Sequence, residues 1–256
     1  MNFMQKNLPF FSIIYVNYKS AEYLANALRS VADEEDYRDL EIVIVNNDSE
    51  ESEAITRLGQ EYTCRVIQNT DNKGFGSGVN QGVQVASGQW IGLINPDTLW
   101  PKAQFSRLAE KISEKNGIIG LCLLNEEGQE ERFGSGRRIT LWQLLLNHLP
   151  FFAKKDPLGW LSGGALFFPR ELWATLKGFD ERYFLYYEDV DFCERALQIG
   201  RSIEQEADFS VIHFRGKSHS SSKKQKKYYR ESQEYYFLKF RPWYEQQILK
   251  LFHFFF

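Results

Sequence analysis

Short apolar runs alternate with amphipathic stretches through the first half of the chain. Four strands are predicted from the runs FSIIYV, EIVIV, CRVIQ and WIGLI. Helices are predicted over residues 20–32, 51–60, 77–86 and 101–115. This alternation is typical of a Rossmann-like α/β fold, in which a mostly parallel central sheet carries helices on both faces.

The pattern changes after about residue 117. The run GIIGLCLL predicts another strand, and the glycine- and charge-rich segment NEEGQEERFGSGRR predicts a hairpin or a loop. An apolar helix is then predicted near 139–149, followed by a strand from WLSGGALFF and a helix over 188–199. Residues 221–256 predict a basic, aromatic helical tail.

The composition fits a globular protein. Of 256 residues, 43% are hydrophobic and 25% charged, so the chain is long enough to bury a substantial core. Aromatic residues make up 16%, which indicates a planar ligand, a sugar or an interface. The net charge is -3, yet residues 223–256 hold eight Lys or Arg against three Glu. Positive charge is therefore concentrated near the C-terminal end.

The cysteines and the apolar segments bear on the compartment. Cys64, Cys122 and Cys193 are far apart and lack metal-type spacing, so we expect buried thiols and a cytoplasmic protein. The N-terminal stretch FFSIIYVNY has no secretory cleavage pattern, and LWQLLLNHLPFF is too short and too polar to span a bilayer. No transmembrane helix is predicted.

Polar turns follow the first strands at residues 16–20, 45–49, 68–78 and 94–98. Ligands of open α/β sheets bind where the strands end, so these turns are the candidate site. In the last of them, Pro96 restricts the turn before Asp97, whose carboxylate suits a hard divalent cation. The alternative is an ordinary Asx-type turn without a ligand.

The glycine-rich loop NKGFGSGVNQG, residues 72–82, precedes a predicted helix. Its backbone amides are suited to a diphosphate, and Lys73 adds a positive charge. Val79 stands where the dinucleotide fingerprint needs its third glycine, which disfavours a Rossmann dehydrogenase. The alternative is a tight strand-to-helix turn with no phosphate.

Three acids, Glu188, Asp189 and Asp191, begin the helix predicted over 188–199, directly after four aromatic residues. Acids in a first turn oppose the positive end of the helix dipole, which explains them without a ligand. His213 ends another predicted strand. A single histidine there is more often structural, but with Asp97 it would supply the two ligand types that Mn or Mg sites accept. His219, in a basic loop, is the weaker candidate.

Taken together, the motifs resemble the family 2 glycosyltransferases of GT-A fold, and among them the bacterial rhamnosyltransferase-like proteins. The resemblance covers roughly residues 11–220, and six ordered blocks are more specific than any one motif. These blocks are SIIYVNYKSAEYLANALRSV, IVIVNNDS, NTDNKGFGSGVNQGV, GLINPDT, WLSGGALFFPRELWATLKGFDERYFLYYEDVDFCERALQIG and VIHFRGKS.

The resemblance implies roles for individual residues. Asp189 falls on the family's general base, with Glu188 as a neighbour that shares or orients that role. Asp97 and His213 fall on its metal ligands. The implied nucleotide-sugar contacts are Asn17, Asn46, Asn47, Asp48, Asn72, Gly74, Asn80, Asn95 and Asp97. On the sugar or acceptor side we place Trp160, Gly163, Gly164 and Asp180, with Phe179 in the same loop.

Two motifs depart from the family pattern. Asn95 replaces the first aspartate of the D-x-D metal motif, and the pair Asn46 and Asn47 replaces a more usual acid-containing pair. An asparagine amide offers a donor and an acceptor but no charge. Asp97 is therefore expected to be the main carboxylate for the metal, and the donor nucleotide is left open.

The sequence thus predicts a metal-dependent, inverting glycosyltransferase over residues 1–220, with a nucleotide-sugar half over 1–116, an acceptor half over 117–220 and the tail over 221–256. Its cofactor would be Mn or Mg. Its donor would be a dTDP-, UDP- or GDP-linked sugar, with dTDP-rhamnose suggested by the resemblance, and its acceptor a glycan or lipid-linked glycan of a bacterial surface polysaccharide or lipopolysaccharide.

The tail predicts peripheral contact with the inner face of the plasma membrane, although a dimer contact or a solvated helix would use the same residues. Nucleic acid is not expected, because the rest of the chain is acidic.

Two rival functions remain. One is a nucleotidyltransferase, for which a basic triphosphate motif is lacking, and the other is a non-catalytic nucleotide- or sugar-binding partner, which the substitution at Asn95 favours.

Overall fold

A computed structural model describes residues 9–32, 40–101, 104–131, 133–146, 157–214 and 222–255. The strands in these ranges are β1 (Phe11–Asn17), β2 (Leu40–Asn46), β3 (Arg65–Gln68), β4 (Trp90–Ile94), β5 (Thr98–Leu99), β6 (Ile118–Leu124), β7 (Ser135–Gly136), β8 (Trp160–Leu161), β9 (Ala165–Pro169) and β10 (Ile203–His213). The helices are α1 (Ala21–Ala32), α2 (Ser52–Glu61), α3 (Phe75–Val85), α4 (Phe105–Ile112), α5 (Leu141–Leu146), α6 (Arg170–Leu176), α7 (Glu188–Gln198), α8 (Ser222–Phe240) and α9 (Trp243–Phe255).

The main sheet of these described strands has eight members in the order β3-β2-β1-β4-β9-β6-β10-β5. The first four strands in this order, β3, β2, β1 and β4, are parallel, as the alternating pattern predicts. Strand β9 runs antiparallel between β4 and β6, and β5 runs antiparallel to β10. The predicted α/β fold with a C-terminal helical segment is confirmed, and the complete sheet is mixed because β9 and β5 enter it in reverse.

The prediction of one continuous strand from WLSGGALFF is wrong. Strand β8 pairs with β7 in a separate two-stranded sheet, whereas β9 joins the main sheet. The break falls at residues 162–164, where two glycines remove the side chains that favour an extended strand. This turn brings Gly164 to the end of β4, where its carbonyl accepts a hydrogen bond of 3.0 Å from the Asn95 N–H.

Side chains of β1 alternate between the two faces of the sheet. Ile13 and Tyr15 pack in one buried cluster with α1, and Ile14 and Val16 pack in another with α3 and α7. This period of two is the signature of a strand covered on both faces. The polar residues that follow β1 and its parallel neighbours are consequently collected at one edge of a rigid sheet.

A third buried cluster joins α7 to the C-terminal helices. Tyr236 and Phe237 of α8 are fully buried, and Leu249 of α9 packs in the same cluster. The predicted boundary between residues 1–220 and 221–256 stays a prediction. Within the described residues, no helix is long and apolar enough to cross a membrane. The predicted helix near 139–149 is described as α5, and its last residues, like His219, lie outside the described ranges.

Candidate active site

A cleft of about 300 Å³ opens at the carboxyl ends of β1, β2 and β4. Its lining comes from the polar turns after these strands, the glycine-rich loop, the aromatic segment before α7, and α8. The lining residues are Val16, Tyr18, Ser20, Tyr23, Asn47, Asn72, Gly74, Phe75, Asn95, Pro96, Asp97, Phe184, Leu185, Lys224 and Tyr228. The site predicted from strand ends therefore corresponds to a real concavity.

Asn17 and Asn46 are not lining residues of this cleft but adjoin its lining residues Val16 and Asn47 in the chain. The Asn17 amide donates to Asn46 Oδ1 at 2.9 Å and to Glu51 Oε2 at 2.8 Å. The Asn46 amide donates to the Asp48 carbonyl at 2.6 Å and to Gln68 Oε1 at 2.7 Å. Both asparagines are buried with these internal partners, so in this structure they hold the two turns in register.

The glycine-rich loop is held from two sides. Asn72 Oδ1 accepts a hydrogen bond of 2.8 Å from the Gly74 N–H, and the Asn47 amide donates to the Gly74 carbonyl at 3.1 Å. The Phe75 N–H donates to the Phe184 carbonyl at 3.0 Å. Gly74 has a φ of +88°, and an added Cβ would lie 2.5 Å from that carbonyl, so the close approach requires glycine.

Asp97 and His213 meet because β5 pairs with β10. In that register Thr98 lies opposite His213, so Asp97 comes to the histidine at the end of β10. His213 Nε2 is 3.3 Å from Asp97 Oδ1, and His213 Nδ1 is 3.0 Å from Glu131 Oε1. Asp97 lines the cleft, whereas Glu131 is buried behind the histidine.

Asp97 and His213 form a candidate cation site. No three His, Cys, Asp or Glu side chains among the described residues converge as a metal-binding group. Asp97 and His213 supply one carboxylate and one imidazole, which fits a divalent cation that takes further ligands from substrate phosphates and water. The Glu131 carboxylate contacts His213 Nδ1, whereas Asp97 contacts Nε2. In metal sites, a carboxylate on the second ring nitrogen orients the metal-binding histidine.

The His213 ring is electrostatically matched to its two carboxylates. Burial opposes the charged imidazolium, but the hydrogen bonds and charges of Asp97 and Glu131 outweigh it and raise the pKa of His213. The two carboxylates therefore favour a proton on the His213 ring. A cation at Asp97 would compete with that proton.

Glu188 and Asp189 begin α7 after a strained turn. Tyr186 and Tyr187 both have left-handed backbone, with φ of 70° and 69°. Asp189 Oδ2 accepts a hydrogen bond of 2.8 Å from the Gly163 N–H, and its Oδ1 accepts one of 2.8 Å from the Val190 N–H. Glu188 is 4% exposed, and its buried Oε2 has no hydrogen-bond partner among the described residues.

Burial sets the protonation of this pair. It raises the pKa of Glu188 well above the ordinary value, and the neighbouring Asp189 charge adds to the effect. Burial also raises the pKa of Asp189, against which the Gly163 and Val190 amides act. The pair is therefore suited to one negative charge, placed on Asp189 where two amides stabilise it.

The turn at Gly163 and Gly164 connects the acids to the cleft. The Gly163 N–H holds Asp189, and the Gly164 carbonyl accepts from Asn95, two residues before Asp97. An added Cβ on Gly163 would lie 3.4 Å from Phe75, a cleft residue, and 3.7 Å from Asp189. The turn at Gly163 and Gly164 thus links the segment of Asp189, at the start of α7, to the segment of Asp97, after β4.

Four other predicted site residues have internal partners. Asp48 accepts from the Glu50 N–H at 3.1 Å and caps a 3-10 turn over Ser49–Glu51. Asn80 exchanges two hydrogen bonds of 3.0 Å with the Phe179 backbone. Asp180 binds three side chains, which are Arg182, Tyr235 and Lys239. Trp160 packs against two core clusters outside the cleft lining. Their ligand-contacting roles stay predictions.

Several residues that shape the site are not indicated by any sequence motif. Glu51 holds Asn17 and accepts from the Ser20 and Ala21 amides. Glu131 is one of several acids in the segment NEEGQEERFGSGRR, and nothing in the neighbouring sequence distinguishes it from the others. Lys224 and Tyr228 belong to the segment read as a tail. Only the contacts made across the fold identify these residues.

Comparison with known proteins gives a family and several relatives. Residues 12–177 match the model of glycosyl transferase family 2. The N-acetylglucosaminyl-diphospho-decaprenol L-rhamnosyltransferase of Mycobacterium tuberculosis is 23% identical over 240 residues, which cover 82% of this chain and 77% of that protein. Rhamnosyltransferase WbbL of Escherichia coli K12 is 23% identical over 222 residues, covering 79% of this chain and 82% of WbbL.

Solved structures give the architecture. S. aureus TarS matches with a TM-score of 0.62 at 16% identity, and GalNAc-T7 with UDP, GalNAc and Mn²⁺ matches with 0.64 at 16%. The mannosyltransferase PcManGT from Pyrobaculum calidifontis, in complex with GDP-Man and Mn²⁺, matches with 0.60 at 17%. These matches cover 89%, 91% and 84% of this chain, and the chain spans 43%, 51% and 59% of theirs. At such identities the similarity concerns the fold, and it confirms the predicted fold class.

Proposed function

The chain belongs to glycosyl transferase family 2, and from that premise we propose that it is an inverting, cation-dependent glycosyltransferase. The observation that carries the proposal is the connection from Asp189 through Gly163 and Gly164 to Asn95 and Asp97. It links a carboxylate suited to proton abstraction, through the turn at residues 163–164, to the segment whose Asp97 lines the cleft and is suited to a cation.

Asp189 serves as the general base in this proposal. The acceptor oxygen forms its bond to the anomeric carbon while the bond from that carbon to the diphosphate oxygen breaks. The hydroxyl proton passes to the Asp189 carboxylate, and the nucleoside diphosphate leaves from the opposite face. The raised pKa of Asp189 strengthens it as a base, and a protonated Glu188 spares the site a second adjacent negative charge.

Asp97 and His213 would hold the divalent cation. When bound, the cation supplies positive charge for the departing diphosphate. The chain itself contributes orientation: Glu131 holds the His213 ring from behind, and the pairing of β5 with β10 holds Asp97 opposite it. Asn95 brings no charge, so Asp97 is the sole carboxylate among the described residues that line the cleft.

We propose a rhamnosyl donor, dTDP-rhamnose, and a glycan acceptor of a bacterial surface polysaccharide or lipopolysaccharide. Two of the relatives described above carry rhamnosyltransferase names, and one of those names includes a diphospho-decaprenol acceptor. Tyr18 and Tyr23 line the cleft beside Asn47 and give a nucleobase an aromatic surface. UDP- and GDP-linked sugars are the competing donors.

Titration calorimetry tests this proposal directly. The full chain is titrated with dTDP, UDP and GDP in the presence of Mn²⁺ and again with chelator. We expect one nucleotide to bind more tightly with Mn²⁺ and its sugar conjugate to be turned over with a lipid-linked acceptor. Failure of all three nucleotides to bind would refute the proposal.

A non-catalytic nucleotide-binding protein is the second candidate, favoured by the asparagine at position 95. It would bind the nucleotide but leave the sugar conjugate intact. Hydrolysis or transfer that disappears in the Asp189→Asn variant would exclude it.

We further propose that the protein acts on the inner face of the plasma membrane, with α9 against anionic lipid. Several apolar side chains of α9 are exposed, namely Trp243, Tyr244, Ile248, Leu251 and Phe252. Residues 223–256 carry the excess of positive charge that anionic lipid attracts. The protein should therefore float with anionic vesicles, and Ile248→Glu with Leu251→Glu should abolish flotation whereas Gln247→Glu should not. A wild-type protein that stays unbound would contradict the membrane contact.

A further inference from the structure

Helix α8 lies along the segment that precedes the acids of α7. Ser232 Oγ donates to the Leu185 carbonyl at 2.8 Å, and the Gln233 amide donates to the Tyr187 hydroxyl at 2.7 Å. The rings of Tyr228 and Phe184 have centroids 4.6 Å apart. These contacts continue along the helix, so α8 is held at a fixed position relative to the cleft.

The far end of the helix is anchored by charge. Lys239 Nζ is 2.8 Å from Asp180 and 2.5 Å from Asp191. Asp191 is fully buried, so the lysine neutralises a carboxylate that would otherwise be costly. With this anchor and the buried Tyr236, the helix is a wall of the fold and its first turns reach the cleft mouth.

Two residues from these first turns, Lys224 and Tyr228, line the cleft. Of the described lining residues, Lys224 is the one cationic side chain and Asp97 the one carboxylate. A nucleoside diphosphate brings at least two negative charges. Asp97 would hold a cation for the phosphates, and Lys224 of α8 supplies a positive charge from another wall of the cleft.

We propose that Lys224 binds the diphosphate of the donor, so that α8 is part of the active site. A lysine acts on phosphate as a mobile point charge, which suits an exposed position on a helix at the cleft rim. Tyr228, packed on Phe184, holds this turn of the helix next to the loop whose Phe184 carbonyl accepts from Phe75. The inference rests on the proposed function, because it requires a nucleoside diphosphate in this cleft.

The test compares a diphosphate with its nucleoside. The full-length wild type, Lys224→Ala and Lys224→Arg are titrated with dTDP, UDP and GDP and with the matching nucleosides, all with Mn²⁺. Lys224→Ala should weaken diphosphate binding about tenfold and leave nucleoside binding unchanged, as expected for one lost charged contact. Lys224→Arg should retain most of the affinity. Lys226→Ala is the matched control, because Lys226 is exposed on the same helix but is not a lining residue.

Each outcome decides a different point. A wild type that binds no diphosphate removes the proposed function, and this inference with it. A wild type that binds, with Lys224→Ala binding equally well, removes the inference alone. Equal losses in Lys224→Ala and Lys226→Ala would indicate general attraction by a basic helix and would also overturn the contact. Unchanged melting temperatures show that the variants are folded.

Discussion

The backbone N–H of Gly163 donates a hydrogen bond of 2.8 Å to Asp189 Oδ2. The donor belongs to the turn between β8 and β9, and the acceptor belongs to the first turn of α7. Because the donor is a backbone N–H, every substitution at residue 163 except proline keeps it, and the bond ties Asp189 to the turn whose Gly164 carbonyl binds the Asn95 N–H after β4.

Replacing Asp189 by Asn should abolish transfer. The asparagine oxygen can still accept from Gly163, the bond from the Val190 N–H is lost, and the amide cannot take a proton from an acceptor hydroxyl. We expect kcat to fall by at least about 100-fold, the usual contribution of a general base. Calorimetric binding of the nucleotide should be unchanged. Asp208→Asn, at an exposed position of β10, is the control, and normal turnover by Asp189→Asn would remove the residue from the mechanism.

Activity should fall on acidification. The base works as a carboxylate, and burial raises the pKa of Asp189 above its ordinary 3.8, with Glu188 and Asp191 as neighbouring acids. As the pH drops through that raised value, Asp189 is protonated and kcat/KM declines. A pH profile should therefore show an acidic limb centred above 3.8. A limb at or below the ordinary value would mean that the titrating group is not this carboxyl.

Glu188 should make stability fall as pH rises. The folded state keeps the Glu188 proton to a higher pH than the unfolded chain, whose carboxyl has its ordinary pKa of 4.5. The folded state therefore binds more protons above pH 4.5, and unfolding becomes easier there. At pH 8, Glu188→Gln should be more stable than the wild type, and this gain should shrink as the pH falls below 4.5. Thermal unfolding across this pH range measures this, with exposed Glu114→Gln as control.

Substitutions at the proposed cation site should lower the Mn²⁺-dependent nucleotide affinity to different degrees. Asp97→Ala and His213→Ala remove a proposed ligand and should eliminate the gain in nucleotide affinity that Mn²⁺ gives. Glu131→Gln keeps both proposed ligands but weakens the contact that orients the His213 ring. The metal affinity should fall about tenfold, which is typical when such an outer partner is replaced. Glu130→Gln changes the adjacent, exposed residue and should bind normally. Identical Mn²⁺ dependence in all four variants would argue against this site.

Lys239→Ala should destabilise the fold. It removes the cation that lies between Asp180 and Asp191, and hydrogen bonds to charged groups contribute about 1.5–3 kcal/mol. Denaturant unfolding should show a loss of this size, whereas Lys250→Ala, exposed on α9, should show none. A stable Lys239→Ala protein would mean that Arg195, the other partner of Asp191, suffices.

These contacts also change how the C-terminal segment is to be studied. Deleting residues 222–255 would remove Tyr236 and Phe237 and uncover Val190 of α7, which packs in the same cluster, so loss of membrane binding after deletion would be ambiguous. Single substitutions on the exposed side of α9 keep that core intact. They separate a surface role of the segment from its role in folding.

Local sequence signals predicted much of the first half. The strand and helix periods of β1 to β4 come from neighbouring residues, and parallel strands bring their carboxyl ends to one edge. Asn47, Gly74 and Asp97 were therefore predicted from sequence, and all three line the cleft. The acids at the start of α7 were also visible, because they stand at the beginning of a clear helical pattern.

What only the tertiary structure decided involves partners far apart in the chain. Glu131 meets His213 across 82 residues, and β9 enters the sheet in reverse between β4 and β6. Lys224 and Tyr228 reach the cleft because α8 packs along the segment before α7. Periodicity and turn chemistry describe how a residue relates to its near neighbours. They carry no information on which distant surface a strand or helix will cover, since that depends on how all the buried faces fit together.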